Sequence, residues 1–198
     1  MAPRQEDMPD DDDHHKKPTD LEKHIMFWDR DGDGLINVSD VWHGFRDLGF
    51  SIPYSIISLF IPLLFSYATQ PGHAGAAAKR DPRFRVCVSN VHRTIHSSDS
   101  GVFDPRGQLD QDRFDSMFTK FDTENKGHLT TREYLRMWKS NCDPYDFGGW
   151  LYSFMELLTT WLLIQKRGQI AKADLRGVYD GSLFYIIKES RQQQTKEI

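Results

Sequence analysis

LEKHIMFWDRDGDGLINVSDVWHGFRDLGF, residues 21–50, is the stretch on which the fold turns. Within it, Asp29 to Asp40 has the spacing of an EF-hand calcium loop. Oxygen-bearing side chains fall at the first, third and fifth positions, Asp29, Asp31 and Asp33. Gly34 sits sixth, where the chain must turn sharply around an ion, and Leu35, seventh, offers its backbone carbonyl. Asn37, ninth, is placed to coordinate directly or through water. Ile36, eighth, is apolar and points away from the ion, as packing against a partner loop requires. The twelfth position departs from the pattern, with Asp40 in place of the usual glutamate. A shorter carboxylate reaches a metal less easily with both oxygens, so weaker calcium binding or better tolerance of Mg2+ is expected.

The flanks agree with two helices. Leu21, His24, Ile25 and Trp28 repeat at i, i+3, i+4 and i+7, and Val41, Trp42, Phe45 and Leu48 give the exiting helix. Thr19 ahead of Glu22 has capping-box spacing for the first of them. A second helix–loop–helix follows from Gln108, with Phe114, Met117, Phe118 and Phe121 on its entering helix. Asp122 to Glu133 repeats the loop spacing in degraded form: Asp122, Glu124, Gly127 and Glu133 are in place, but Lys126 puts a positive charge at a ligand position. Poor ion binding is expected there. Leu129 matches Ile36 in position, which predicts that the two loops pair through a short antiparallel bridge.

Two segments are strongly apolar. Residues 50–72 carry no charge, and as helix they place Ser51, Ser55, Ser58, Pro62 and Ser66 on one narrow stripe. Pro53 and Pro62 predict kinks, and Pro71-Gly72 an end. The segment is expected to lie in a lipid surface or to cover a lipid-binding pocket, a buried core helix being the alternative. Phe147 to Ile164 repeats Trp150, Phe154, Leu157 and Trp161 at helical spacing, and its one charge, Glu156, must pair with a cation or take a raised pKa in a pocket.

At 198 residues and a net charge of −4 the chain can bury one sizeable core and has no general attraction for nucleic acid. Cys87 and Cys142 fit neither a metal spacing nor a disulfide framework. Residues 1–20 are polar and charged, predict disorder, and contain no apolar secretory run, so the protein is expected not to be secreted. Around Val86–His96, Val91 and Ile95 favour helix, which would put His92 and His96 on one face.

Several stretches together resemble the caleosins, or peroxygenases, in their fungal form: LEKHIMFWDRDGDG, GFRDLGF, LFSYATQPG, NVHRTIHSSDSGVFD, FGGWLYSFMELLTTWLL and RGVYDGSLF, in family order. The resemblance implies a mainly α domain over residues 21–187: an EF-hand (21–48), the apolar lipid-associated segment (50–72), a degenerate EF-hand (108–140) and C-terminal helices (147–187), with apolar helices enclosing a haem and lipid pocket and a polar tail at 188–198. It implies haem b held by His24 and His96, Ca2+ in the Asp29–Asp40 loop, and transfer of oxygen from fatty-acid hydroperoxides to unsaturated fatty acids at a lipid-droplet or endoplasmic reticulum surface, partly in the cytosol. Imidazole is a competent axial ligand for iron, and neither cysteine occupies a matched ligand position. A hydroperoxide already carries its oxidising equivalents, so no reductase site is needed. The family's proline-rich knot is replaced here by QPGHAGAAAKRDPRFR, which weakens the expectation of droplet targeting. The competing expectation is a calcium-binding lipid-surface protein without catalysis.

Overall fold

A computed structural model describes residues 17–70 and 81–196; the acidic N-terminal run and the segment around Pro71–Arg80 lie outside the described residues. The fold is mainly helical, built from helix–loop–helix units closed in pairs by two short antiparallel sheets. Helix α1 (Asp20–Met26) starts at the expected capping box, Thr19 Oγ1 accepting from the Glu22 amide while Glu22 accepts from the Thr19 amide. Such a cap contributes about 1 kcal/mol. The loop then turns at Gly32 and Gly34, both at positive φ, into strand β1 (Leu35–Ile36) and helix α2 (Val38–Asp47).

The two acidic loops do not pair with each other. Strand β1 pairs with β2 (Val86–Cys87), Ile36 opposite Val86. Strand β3 (His128–Thr130), between α5 (Gln111–Phe121) and α6 (Thr131–Asn141), pairs with β4 (Gln169–Ala171), Leu129 opposite Ile170. The reason is a further helix–loop–helix unit, α7 (Phe147–Ile164), β4 and α8 (Lys172–Tyr179), that the acidic spacing does not announce. Its Gly168 takes φ +77°, matching +73° at Gly127 and +78° at Gly34. Reciprocal bonds close the pair, from the Thr131 amide to Gly168 O (2.8 Å) and from the Lys172 amide to Gly127 O (3.0 Å). The first loop makes the equivalent bond, from the Val88 amide to Gly34 O (3.0 Å). Leu129 and Ile170 are fully buried where the strands meet, so this register hides both apolar side chains.

The uncharged segment forms two short helices, α3 (Ile52–Ser58) and α4 (Ile61–Thr69), each with its proline in the first turn. Proline there lacks only an amide that has no intrahelical partner, so Pro53 and Pro62 begin helices instead of kinking one rod. The serine stripe faces inward. Ser55, Ser58, Ser66 and Thr69 are buried, each hydroxyl returned to a carbonyl of its own helix, while Ile52, Ile56, Ile57, Phe60, Leu63 and Tyr67 are exposed. This inverts the usual amphipathic order. By length and composition Ile52–Thr69 is apolar enough to cross a membrane, although it is broken between α3 and α4.

After β2 the chain takes a 3-10 helix (Val88–Thr94) that ends at an extended Ile95. With about three residues per turn, His92 and His96 do not share a face, and His96 lies beyond the helix. The polar C-terminal residues are likewise helical, since α9 runs Ser182–Lys196 and docks on the first unit through Lys188 Nζ, 2.9 Å from Asp47.

Candidate functional site

The first site is the acidic loop. One carboxylate oxygen from each of Asp29, Asp31 and Asp33 lies within 4.8 Å of the others, a cluster able to hold a cation. The loop organises it: Asp29 accepts from the Gly32 and Gly34 amides (3.0 and 2.9 Å), and Asp33 from the Leu35 amide (2.8 Å). Burial pushes the Asp29 carboxyl above its ordinary range, the two glycine amides oppose that, and Asp33 and Asp31 add to it. Asp40 is not among these three, and it and Asn37 are engaged at the start of α2. Asn37 caps α2 by accepting from the Ser39 and Asp40 amides, and Asp40 Oδ2 accepts from the Asn37 amide at 2.9 Å. Leu35 sits in β1, directly after the turn.

The second loop already contains a cation. Lys126 Nζ lies 2.8 Å from Glu133, 3.7 Å from Glu124 and 4.0 Å from Asp122, the carboxylates at the twelfth, third and first positions. The ammonium holds Glu133 down at about 2. The third loop is shorter: Gln165 Oε1 accepts from the Gly168 amide (2.9 Å), the part that Asp122 plays for Gly127 (2.7 Å), but across three residues instead of five.

Between these paired units lies a cavity of about 280 Å3, close to the lower end of ligand-pocket sizes. Its wall is largely apolar, with Trp28, Phe45, Phe65 and Trp138 among its members, and among the described residues no lysine or arginine lines it. His24, on α1, does line it. Its Nδ1 is 2.6 Å from Val178 O, which fixes the hydrogen on Nδ1 and leaves Nε2 as a lone-pair donor. Burial lowers the His24 pKa against the pull of that bond and of Asp180, so the ring is neutral at neutral pH. A neutral imidazole oriented through its other nitrogen is the form in which histidine binds metals.

His96 does not itself line the cavity, but Ile95, Ser98, Asp99 and Tyr152 around it do. Its Nδ1 is 3.1 Å from Asp146 Oδ2. Its Nε2 is buried and among the described residues has no hydrogen-bond partner; Asp99 Oδ1 is 3.1 Å away but poorly aligned. The molecule thus presents one imidazole nitrogen on the cavity and one orphaned imidazole nitrogen behind its wall.

Glu156 is the polar group of a pocket, and among the described residues it has no arginine partner. It lines the cavity from α7, and its side chain keeps accessible surface there. Enclosure pushes its carboxyl up to about 8, with the Asp99 charge adding to the effect. Around it stand Tyr134, hydrogen-bonded to Thr160, and Tyr179, hydrogen-bonded to Ser100, both phenols raised by burial.

Residues 16–188 match the family model described as caleosin related protein. The chain is 34% identical over 179 residues to "Probable peroxygenase 4" of Arabidopsis thaliana, covering 89% of each chain. It is 32% identical over 189 residues to "Peroxygenase" of Lilium longiflorum, covering 92% of this chain and 75% of the relative. A "Probable inactive peroxygenase-like protein" of Arabidopsis thaliana is 37% identical over 94 residues, about half of each chain (48% and 46%).

Proposed function

This chain belongs to the caleosin family, and on that footing we propose that it is a calcium-binding haem peroxygenase, passing one oxygen atom from a fatty-acid hydroperoxide to an unsaturated fatty acid. The observation that carries the reading is His24, a neutral imidazole on the wall of an apolar cavity with Nδ1 tied to a carbonyl. The orphaned Nε2 of His96 supports a second nitrogen for the same group. Imidazole nitrogens are competent axial ligands for haem iron, which is what this donor pair supports. When bound, haem supplies the redox chemistry of oxygen transfer. The chain's own residues do the rest: Val178 holds the His24 tautomer, Asp146 orients His96, and the aromatic wall takes the acyl chain and excludes water. With no lysine or arginine among the described residues of the wall, carboxylate-bearing ends of a ligand belong at the cavity mouth, in contact with solvent.

Calcium bound by Asp29, Asp31 and Asp33, completed by Leu35 O, Asn37 and Asp40, acts on this site through α1. Asp29 follows His24 by five residues, so the ion anchors the end of the helix that presents the imidazole. The outward apolar face of α3 and α4 rests on a lipid surface, on a droplet or the endoplasmic reticulum, which brings the cavity to its substrates. That face also favours a second reading, a calcium-binding lipid-surface protein without catalysis. Purified protein with haem, oleate and a fatty-acid hydroperoxide separates the two. Epoxide formation that falls on chelation supports the first; haem-free protein without turnover supports the second.

A further inference from the structure

The peroxygenase reading leaves one cavity group without a task. We propose that Glu156 is the catalytic proton carrier of the oxygen-transfer reaction, taking the proton from the terminal oxygen of the hydroperoxide and delivering one to the oxygen that departs as alcohol. This rests on the peroxygenase reading. Glu156 is placed for the role, projecting from α7 into the cavity that His24 lines from α1. The titratable groups facing it are Asp99 from the turn after the 3-10 helix, Tyr134 from α6 and Tyr179 from α8, none of them a cation. A purely structural glutamate would be expected to find a lysine or arginine, and among the described residues none lines this wall.

The chemistry balances without a further reagent. The O–O bond of the hydroperoxide breaks, and its terminal oxygen forms two bonds to the former alkene carbons. The alkene π pair supplies the two electrons. The hydroperoxide proton ends on the other oxygen, which leaves as alcohol. An uncharged carboxyl suits this transfer because it holds a donor and an acceptor on one carbon. Raised to about 8, it is uncharged at neutral pH and loses its proton as pH rises through that value, so turnover falls there.

Two measurements test this with Glu156→Gln and Glu156→Asp in the full chain. In haem-free protein labelled with 13C-glutamate, one carboxyl is expected to titrate near pH 8 and to be missing from the Glu156→Gln spectrum. In haem-loaded protein with the same Soret absorbance per chain, Glu156→Gln is expected to slow hydroperoxide turnover about 100-fold or more and to flatten the alkaline limb. Glu156→Asp, which keeps a carboxyl, retains the limb at a reduced rate. If wild type turns over and both variants keep its rate and pH profile, the proton-carrier role is wrong while the peroxygenase reading stands. If wild type neither takes up haem nor turns over hydroperoxide, both fall.

Discussion

His24 Nδ1 lies 2.6 Å from the carbonyl oxygen of Val178, a bond across 154 residues that ties the first helix to the last helix–loop–helix unit. Gly181, in the turn after Val178, comes so close to α1 that a Cβ built on it would be 2.7 Å from both His24 Cα and Lys23 O. It also sits at φ +76°, where side chains are strained. Gly181→Ala is therefore expected to cost about 1–3 kcal/mol of stability. It should also weaken haem uptake more than a surface control does. Denaturant unfolding and haem titration check the two effects separately.

Asp29 predicts the behaviour of the first loop. Its carboxyl is raised by burial and by its acidic neighbours, so in the metal-free protein it costs stability above its raised pKa, and the cost disappears as pH falls below the ordinary carboxylate value of 3.8. Calcium binding at this loop is expected to remove the same cost at neutral pH. At a hundred times the dissociation constant the ion contributes about 2.7 kcal/mol, or roughly 5–10 °C in melting temperature for a domain of this size. Asp29→Asn is expected to lose the calcium-dependent rise while leaving the metal-free midpoint unchanged or higher. Thermal melts with calcium and with chelator read this out.

Lys126 fills with its own ammonium the place that an ion would take. Lys126→Asn is expected to raise the calcium stoichiometry from one to two in a calorimetric titration. The same variant should also become more sensitive to acid. Glu133, now held at about 2, stabilises the fold above its ordinary value of 4.5, and that contribution disappears only as pH falls through about 2. Without the ammonium the loss moves toward the ordinary value.

The outward face of α3 and α4 gives a surface prediction. Phe60 is 62% exposed and Ile56 52%. Burying an apolar side chain of this size is worth about 1.5–3 kcal/mol, so Phe60→Ser is expected to weaken partition to phospholipid vesicles by roughly 10- to 150-fold. Its haem spectrum should be unchanged. Flotation or co-sedimentation with vesicles measures the first, absorbance the second.

What the sequence made legible was local. The capping box at Thr19, the helices on either side of Asp29–Asp40, the helix carrying Phe114 and Phe118 and the misplaced charge of Lys126 all follow from spacing a few residues long. The pairing of loops did not follow, because Ile36 and Leu129 are equally apolar and the choice of partner depends on contacts far along the chain. The partner of β3 did leave a signal. Gly168, Ile170 and Asp174 repeat the intervals of Gly127, Leu129 and Glu133, but without acids at the first positions the unit reads as plain helix and turn. The inward serines of α3 and α4 were visible as a stripe, whereas its orientation depends on which face the neighbouring helices cover. Glu156 announced itself as a conflict between charge and surroundings, and only the cavity shows that no arginine among the described residues resolves it.

The central claim is that His24 and His96 hold one haem, and the most direct measurement is the absorption spectrum of haem-titrated protein compared across variants. A one-to-one Soret band is expected for wild type, shifted or lost in His24→Ala and in His96→Ala, and kept in His92→Ala. A wild-type chain that gives no stoichiometric band, or one that both alanine variants leave unchanged, would contradict the account.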